Sequence, residues 1–262
     1  MIGDMQKWTP NVAGIIEHAR EIHPKTEIIS RLVSGEIHRS NYEKVCIRSR
    51  KLASALEKDG VKKGDVIATL ALNTYRHLEM YYGISGMGAI THTLNFRLHP
   101  EQAVYIINHA EDKIIFVELP FVPILEALQE NLKTVEKYVV LCEVDEMPET
   151  TLKNAISYEE YIQDGDENYS WPTLEDDAAC ALCYTSGTTG NPKGVLYSHK
   201  SNVIHAQAAL TAMTIKPDDT ILMVVPLFHV LAWGIPYFGP MNGLKLVMPG
   251  MQMEGEPLFE LI

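Results

Sequence analysis

The feature that most restricts this chain is a regular alternation of helical periodicity and short apolar runs between residues 40 and 141. Ser40 followed by Glu43 has the form of a capping box, and Val45, Leu52 and Leu56 recur at helical spacing before Gly60 offers a stop, which predicts a helix over 41–58. The run Val66-Ile67-Ala68-Thr69-Leu70-Ala71-Leu72 is of strand length and apolar on both parities, as a strand buried on both faces must be. The pattern repeats with a helix near 74–86, a strand near 89–94, a helix from Pro100 to Ala110, a strand over Ile114–Val117, a helix over Ile124–Leu132 and a strand over Tyr138–Leu141. Helices alternating with buried strands require parallel strands joined by helical crossovers, so the expected class is α/β, with parallel sheets covered by helices on both faces.

Between Glu143 and Asp177 the alternation gives way to an acidic stretch containing Asp164-Gly165-Asp166-Glu167-Asn168. It lacks the ligand spacing of a calcium loop and reads as a solvated connection. It separates an expected N-terminal subdomain, residues 1–175, from the start of a second, residues 176–262. In the second, a strand over 178–184, a Gly-rich loop, a helix over 201–212 and strands over 221–225 and 244–248 are expected. Pro257–Ile262 has the pattern of an opening helix.

Net charge is −12, which excludes a protein whose binding depends on neutralising many phosphates of a nucleic acid. A phosphate on a small ligand would have to be held by local donors. The segment 221–241 is almost wholly apolar, yet Pro226, Pro236 and Pro240 would strand backbone groups in lipid, so no membrane span is expected. Met1–Trp8 has no apolar secretory core, which predicts a cytoplasmic address. Cys46, Cys142, Cys180 and Cys183 are too scattered for a disulfide framework, and the Cys180/Cys183 pair lies within an apolar strand with no second pair to complete a zinc site.

The most informative residues are Tyr184-Thr185-Ser186-Gly187-Thr188-Thr189-Gly190-Asn191-Pro192-Lys193-Gly194, directly after a buried strand. Small residues let backbone approach a polyphosphate, hydroxyls and successive N–H groups donate, and Lys193 adds a mobile positive charge. The loop is not a Walker A sequence, which needs Gly before the Lys and Ser or Thr after it; here Pro192 precedes Lys193 and Gly194 follows.

This loop resembles the signature of the adenylate-forming (AMP-binding) enzymes, among them acyl-CoA synthetases, luciferases and peptide-synthetase adenylation domains. The resemblance implies that Thr185, Ser186, Gly187, Thr188, Thr189, Gly190 and Lys193 cradle the phosphates of ATP, and that Thr185 contacts Mg²⁺, while a carboxylate attacks the α-phosphate. Positioning and charge neutralisation would carry most of such a reaction. The acyl-adenylate would then pass to coenzyme A. A second motif, Pro226-Leu227-Phe228-His229-Val230-Leu231-Ala232-Trp233-Gly234, places Phe228 and His229 by resemblance beside the acyl and nucleotide pockets, with His229 in a catalytic position, Val230 beside it and Trp233 at the mouth of an acyl tunnel.

With Gly83–Thr93 and Tyr105–Lys113, this form is similar to the medium- and long-chain fatty acyl-CoA synthetase branch, and the similarity runs from about Val33 onward. Leu231 departs from that branch, which commonly has Asn there. His199 is expected to orient structure more than to catalyse. Members of the family run to about twice this length, so the resemblance implies an N-terminal part without the adenine and ribose contacts, an acidic magnesium ligand and the C-terminal domain, and predicts little adenylation by these residues alone. An aromatic or short-chain acid–CoA ligase, or an inactive nucleotide-binding or dimerisation module, are the alternatives. A homodimer is expected by resemblance.

Overall fold

The computed structural model describes residue 4 and residues 8–185 and 191–261. The chain runs α1 (Val12–Ile22), β1 (Glu27–Arg31), β2 (Ile37–Asn41), α2 (Tyr42–Lys58), β3 (Val66–Leu70), α3 (Tyr75–Gly86), β4 (Ile90–Thr93), α4 (Pro100–Ala110), β5 (Ile114–Val117), α5 (Val122–Leu128), β6 (Lys137–Val140), β7 (Ala155–Ser157), α6 (Tyr158–Gln163), β8 (Ala179–Thr185), β9 (Lys193–Ser198), α7 (His199–Ala212), β10 (Thr220–Leu222), α8 (Ile235–Met241), β11 (Lys245–Met248) and α9 (Gly255–Leu261). Seven strands form one sheet in the order β7-β6-β5-β3-β4-β8-β9, and four form another in the order β10-β11-β1-β2. All pairs are parallel except the antiparallel pairs β8/β9 and β1/β2.

The α/β reading holds because successive strand residues face opposite sides of the large sheet. Ile67, Ile114 and Phe116 meet Leu52 and Leu56 of α2 and Met80 and Ile84 of α3 on one side. Ala68, Ile115 and Val117 meet Ile106 and Ile107 of α4 and Leu125 of α5 on the other. The boundary expected at 175 does not separate the sheets. Strands β8 and β9 complete the sheet begun by β3, and β1 and β2 join β10 and β11.

The α2 cap differs from expectation by one residue. The side chain of Asn41 accepts from Lys44 N, while Ser40 is buried in β2. Asn41 already has the extended backbone an N-cap needs, and Ser40 is held in register opposite Ile28. The strand expected over 221–225 ends at Leu222, and Lys193–Ser198, read as loop, is strand β9.

Helix α3 is buried on every side. Its apolar residues join both the sheet core and a third core that includes Ile16, Val203, Tyr237, Phe238 and Leu246. Its Arg, His, Glu and Ser side chains are accordingly partnered. His77 bonds Thr69 Oγ1 and Leu72 O, each at 3.0 Å. Glu79 accepts from Arg48 Nε at 2.7 Å and from the Tyr158 hydroxyl at 2.9 Å. Arg48 also holds both oxygens of Glu159, which pairs with Arg76. No helix among the described residues is long and apolar enough to cross a membrane.

Candidate active site at the carboxyl ends of the strands

Strand β3 has β4 on one side and β5 on the other, so the chain reverses its direction of winding there. The carboxyl ends of strands around such a reversal form the crevice in which α/β sheets bind ligands. A cavity of about 310 Å³ opens there, lined by Thr93 at the end of β4, Asn95 just beyond it, Gln102 of α4, Tyr184 and Thr185 at the end of β8, and His229. Val230, Phe228, Pro192 and Tyr197 also line it.

The phosphate-loop residues begin and end on paired strands. Thr185 lies opposite Lys193 in the β8/β9 register, and its hydroxyl donates to Lys193 O at 3.4 Å. Both side chains are exposed. Ser186, Gly187, Thr188, Thr189 and Gly190 lie outside the described residues. Tyr184 is anchored on its other side: its hydroxyl is 2.6 Å from His109 Nδ1, and its ring tilts against His92, which is bonded to Asp112 at 2.8 Å. Burial and the Asp112 carboxylate push the Tyr184 phenol up to about 12, so it stays protonated at neutral pH.

His229 and Val230 are brought to the same cavity as Thr185, and both are exposed. Phe228 is buried and meets Phe96 edge to face. Trp233 is not brought there. Val230, Leu231, Ala232 and Trp233 all have left-handed backbone, with φ of 46°, 52°, 47° and 56°, and Gly234 continues it at 80°. Each such non-glycine residue costs on the order of 1 kcal/mol or more, so the turn persists only because its surroundings impose it. The turn carries Trp233, 62% exposed, to a separate apolar cavity of about 630 Å³ lined also by His205, Met213, Ile215, Ile221 and Phe238.

What imposes the turn was not anticipated from sequence. Asn73, buried just after β3, donates from Nδ2 to Met223 O and Val225 O, each at 2.8 Å, and accepts from Leu227 N at 2.8 Å. The hydroxyls of Tyr81 and Tyr82 on α3 donate to Leu227 O and Pro236 O. Thr93 Oγ1 adds a 3.4 Å bond to Phe228 O.

His199 is fully buried and its Nδ1 accepts from Val12 N at 3.2 Å, as suits an orienting role. Burial holds it down to about 4. Cys180 Sγ accepts from Asn202 and Cys183 pairs with Thr93, and burial raises both thiols.

The described lining of the 310 Å³ cavity contains hydroxyls, amides and an imidazole but no carboxylate, in a chain of net charge −12. It can accept a polyanion without a local repulsive charge. For Mg²⁺, the lining supplies one exposed hydroxyl, Thr185, and among the described residues no three His, Cys, Asp or Glu side chains converge on a metal site. That hydroxyl offers one ligand to a magnesium ion carried by substrate phosphates, while the described lining supplies no carboxylate ligand for it.

Residues 16–262 match the family described as AMP-binding enzyme. The chain is 45% identical to a medium-chain-fatty-acid–CoA ligase of Ectopseudomonas oleovorans, with all of this chain and 48% of that protein aligned. It is 41% identical to a long-chain-fatty-acid–CoA ligase of Thermus thermophilus, with 96% and 45% aligned. It thus spans about half the length of the curated relatives it matches. Among solved structures it resembles the N-terminal domain of FACL13 from Mycobacterium tuberculosis, with a TM-score of 0.83 at 24% identity over 97% of this chain and 60% of that one. A long-chain-fatty-acid–CoA ligase of Archaeoglobus fulgidus gives 0.82 at 24% identity over 99% and 51%. The strand-reversal crevice, the signature sequence whose flanking residues Thr185 and Pro192 line it, and these matches agree: the chain belongs to the AMP-binding enzyme family.

Proposed function

We propose that these residues form the phosphate-binding and acyl-binding part of an ATP-dependent acyl-CoA synthetase that activates a medium- or long-chain fatty acid. The observation that carries this reading is the carboxylate-free cavity that Thr185 and His229 both line, beside the root of the signature loop. In this reading the loop and Lys193 hold the polyphosphate, Thr185 contributes one ligand to Mg²⁺ bound by those phosphates, and His229 and Val230 border the reacting carboxylate. Bound magnesium would neutralise charge on the phosphates. The protein's own contribution is placement, because attack on the α-phosphate needs the two reactants held in line. The product, an acyl-adenylate, would be transferred to coenzyme A.

The apolar 630 Å³ cavity beside Trp233, which shares no lining residue with the His229 cavity, is proposed to receive the far end of the acyl chain. Each methylene buried there is worth about 0.8 kcal/mol, roughly a fourfold gain in affinity per carbon until the cavity is full. Identities of 45% and 41% to ligases named for medium- and long-chain fatty acids support that substrate class, while 42% identity to a 3-methylmercaptopropionyl-CoA ligase supports a short acid as the second reading.

The test is carboxylate-dependent ATP–pyrophosphate exchange, run on the polypeptide read from the complete frame containing these residues, with a ladder of saturated acids. Exchange that rises with chain length is expected. A profile that is flat or peaks at the shortest acids supports the second reading, and exchange with no acid at all refutes the function. The 262-residue chain alone, which spans about half the length of the relatives it matches, is expected to exchange little.

A further inference from the structure

We propose that Asn73 is a positioning residue for the candidate site: it determines where His229 stands and holds the left-handed turn that separates His229 from Trp233. The functional weight of this rests on the reading of the two cavities given above, but the geometry does not.

The Asn73 amide engages alternate residues of the segment that follows β10. Its two N–H groups go to the carbonyls of Met223 and Val225, and its oxygen receives the N–H of Leu227. A carboxylate could offer the acceptor but neither donor, and would set a negative charge against two carbonyls. An aliphatic side chain would leave three backbone groups without partners in a site that is 6% exposed. The backbone carbonyl of Asn73 also receives Gly250 N at 3.2 Å. Asn73, three residues beyond β3, therefore ties down the segments that follow both β10 and β11, and so joins the carboxyl ends of the two sheets at the crevice.

Beyond Leu227 the chain is held again at Leu227 O by Tyr81 and at Pro236 O by Tyr82. Between those anchors lie Phe228, His229 and the whole left-handed turn. With both ends fixed, the backbone has a set span to cross in a set number of residues. The Asn73 bonds set the entry point of that span. If they are released, the segment can slide toward ordinary right-handed backbone, which moves His229 and Trp233 together although they line different cavities.

The experiment is fluorine NMR of the chain labelled with 5-fluorotryptophan, with Trp8, Trp171 and Trp233 as three reporters and Trp233→Phe used for assignment. Asn73→Asp and the milder Asn73→Ser are compared with the parent, each first shown to unfold cooperatively in urea. The expected result is a shifted or split Trp233 resonance with those of Trp8 and Trp171 unchanged. A purely structural role would lower the urea midpoint and leave the Trp233 resonance where it is in both variants, and that result overturns the proposal. If Asn73→Asp does not fold, Asn73→Ser decides. Because no nucleotide or acid is added, the measurement stands whichever ligands the cavities take, and failure of the synthetase reading would leave its outcome unaffected.

Discussion

Replacing Arg48 with Met should destabilise the fold far more than loss of a surface charge would. The guanidinium donates to Glu79, whose side chain is fully buried, at 2.7 Å and to both oxygens of Glu159 at 2.8 and 2.9 Å. Methionine fills the space of the aliphatic stem but leaves the Glu79 carboxylate with only the Tyr158 hydroxyl. Removing one partner of a buried pair costs about 3–5 kcal/mol, because an uncompensated charge is left inside. For a chain of this size that corresponds to a fall in Tm of roughly 6–20 °C, at about 2–4 °C per kcal/mol. The double variant Arg48→Met/Glu79→Leu removes both charges and should be more stable than the sum of the single losses predicts by about 2 kcal/mol.

The pH dependence follows with a definite sign. Burial pushes the Glu79 carboxyl up, against the pull of Arg48. Without Arg48 it rises further above its unfolded value, so the folded variant takes up a proton as pH falls, and its deficit is largest near pH 8 and shrinks toward pH 5. Urea denaturation followed by circular dichroism at several pH values is the assay. A deficit under about 1 kcal/mol, strict additivity in the double variant or a deficit independent of pH would refute the reasoning.

Two further outcomes are expected. His199 is held down to about 4 by burial, below its unfolded value, so the stability it contributes above pH 6.5 is lost as pH falls toward 4. His199→Gln, which keeps an acceptor for Val12 N, should lose about 2 kcal/mol less than the parent between pH 7 and 4.5 in urea titrations, and equal acid sensitivity would contradict this. The four cysteines are buried and unpaired, with Cys46, Cys142 and Cys180 pushed up to about 12, so a disulfide reagent should label none in the native chain and all four in guanidinium. Fast labelling of the native chain would show the cores to be open.

The fold was legible where its signals are local. From Val66 to Val140, strand and helix alternate with a period that each segment carries in itself, and the expected elements fall within a few residues of those found. Strands β1 and β2 were not legible because Glu27–Arg31 mixes charged and apolar residues, and what makes it a strand is β11, far away in the chain. Strand β9 was hidden because Lys193 and Gly194 read as loop, although Val195, Leu196 and Tyr197 carry a strand signal. The site was half legible. Thr185 and His229 could be named from their motifs, but Asn73 could not, because its three partners lie about 150 residues away and no spacing rule links them. The separation of Trp233 from His229 was equally hidden, since it depends on the hand of a four-residue turn that no local residue preference favours.

The pairing of β1 with β11 also bears on how the chain is made. Ile28 finds its neighbour Leu246 only after about 200 further residues have been added. At ~5–20 residues per second, that is a wait of roughly 10–40 s on the ribosome. During that time Ile28 and Ile29, both buried in the finished fold, can pair only within the β1/β2 hairpin, which is marginal by itself. Strands β1 and β2 are therefore made long before their sheet can be completed, and the nascent chain offers them to chaperones as a long-lived sticky surface while the sheet begun by β3 is still assembling downstream.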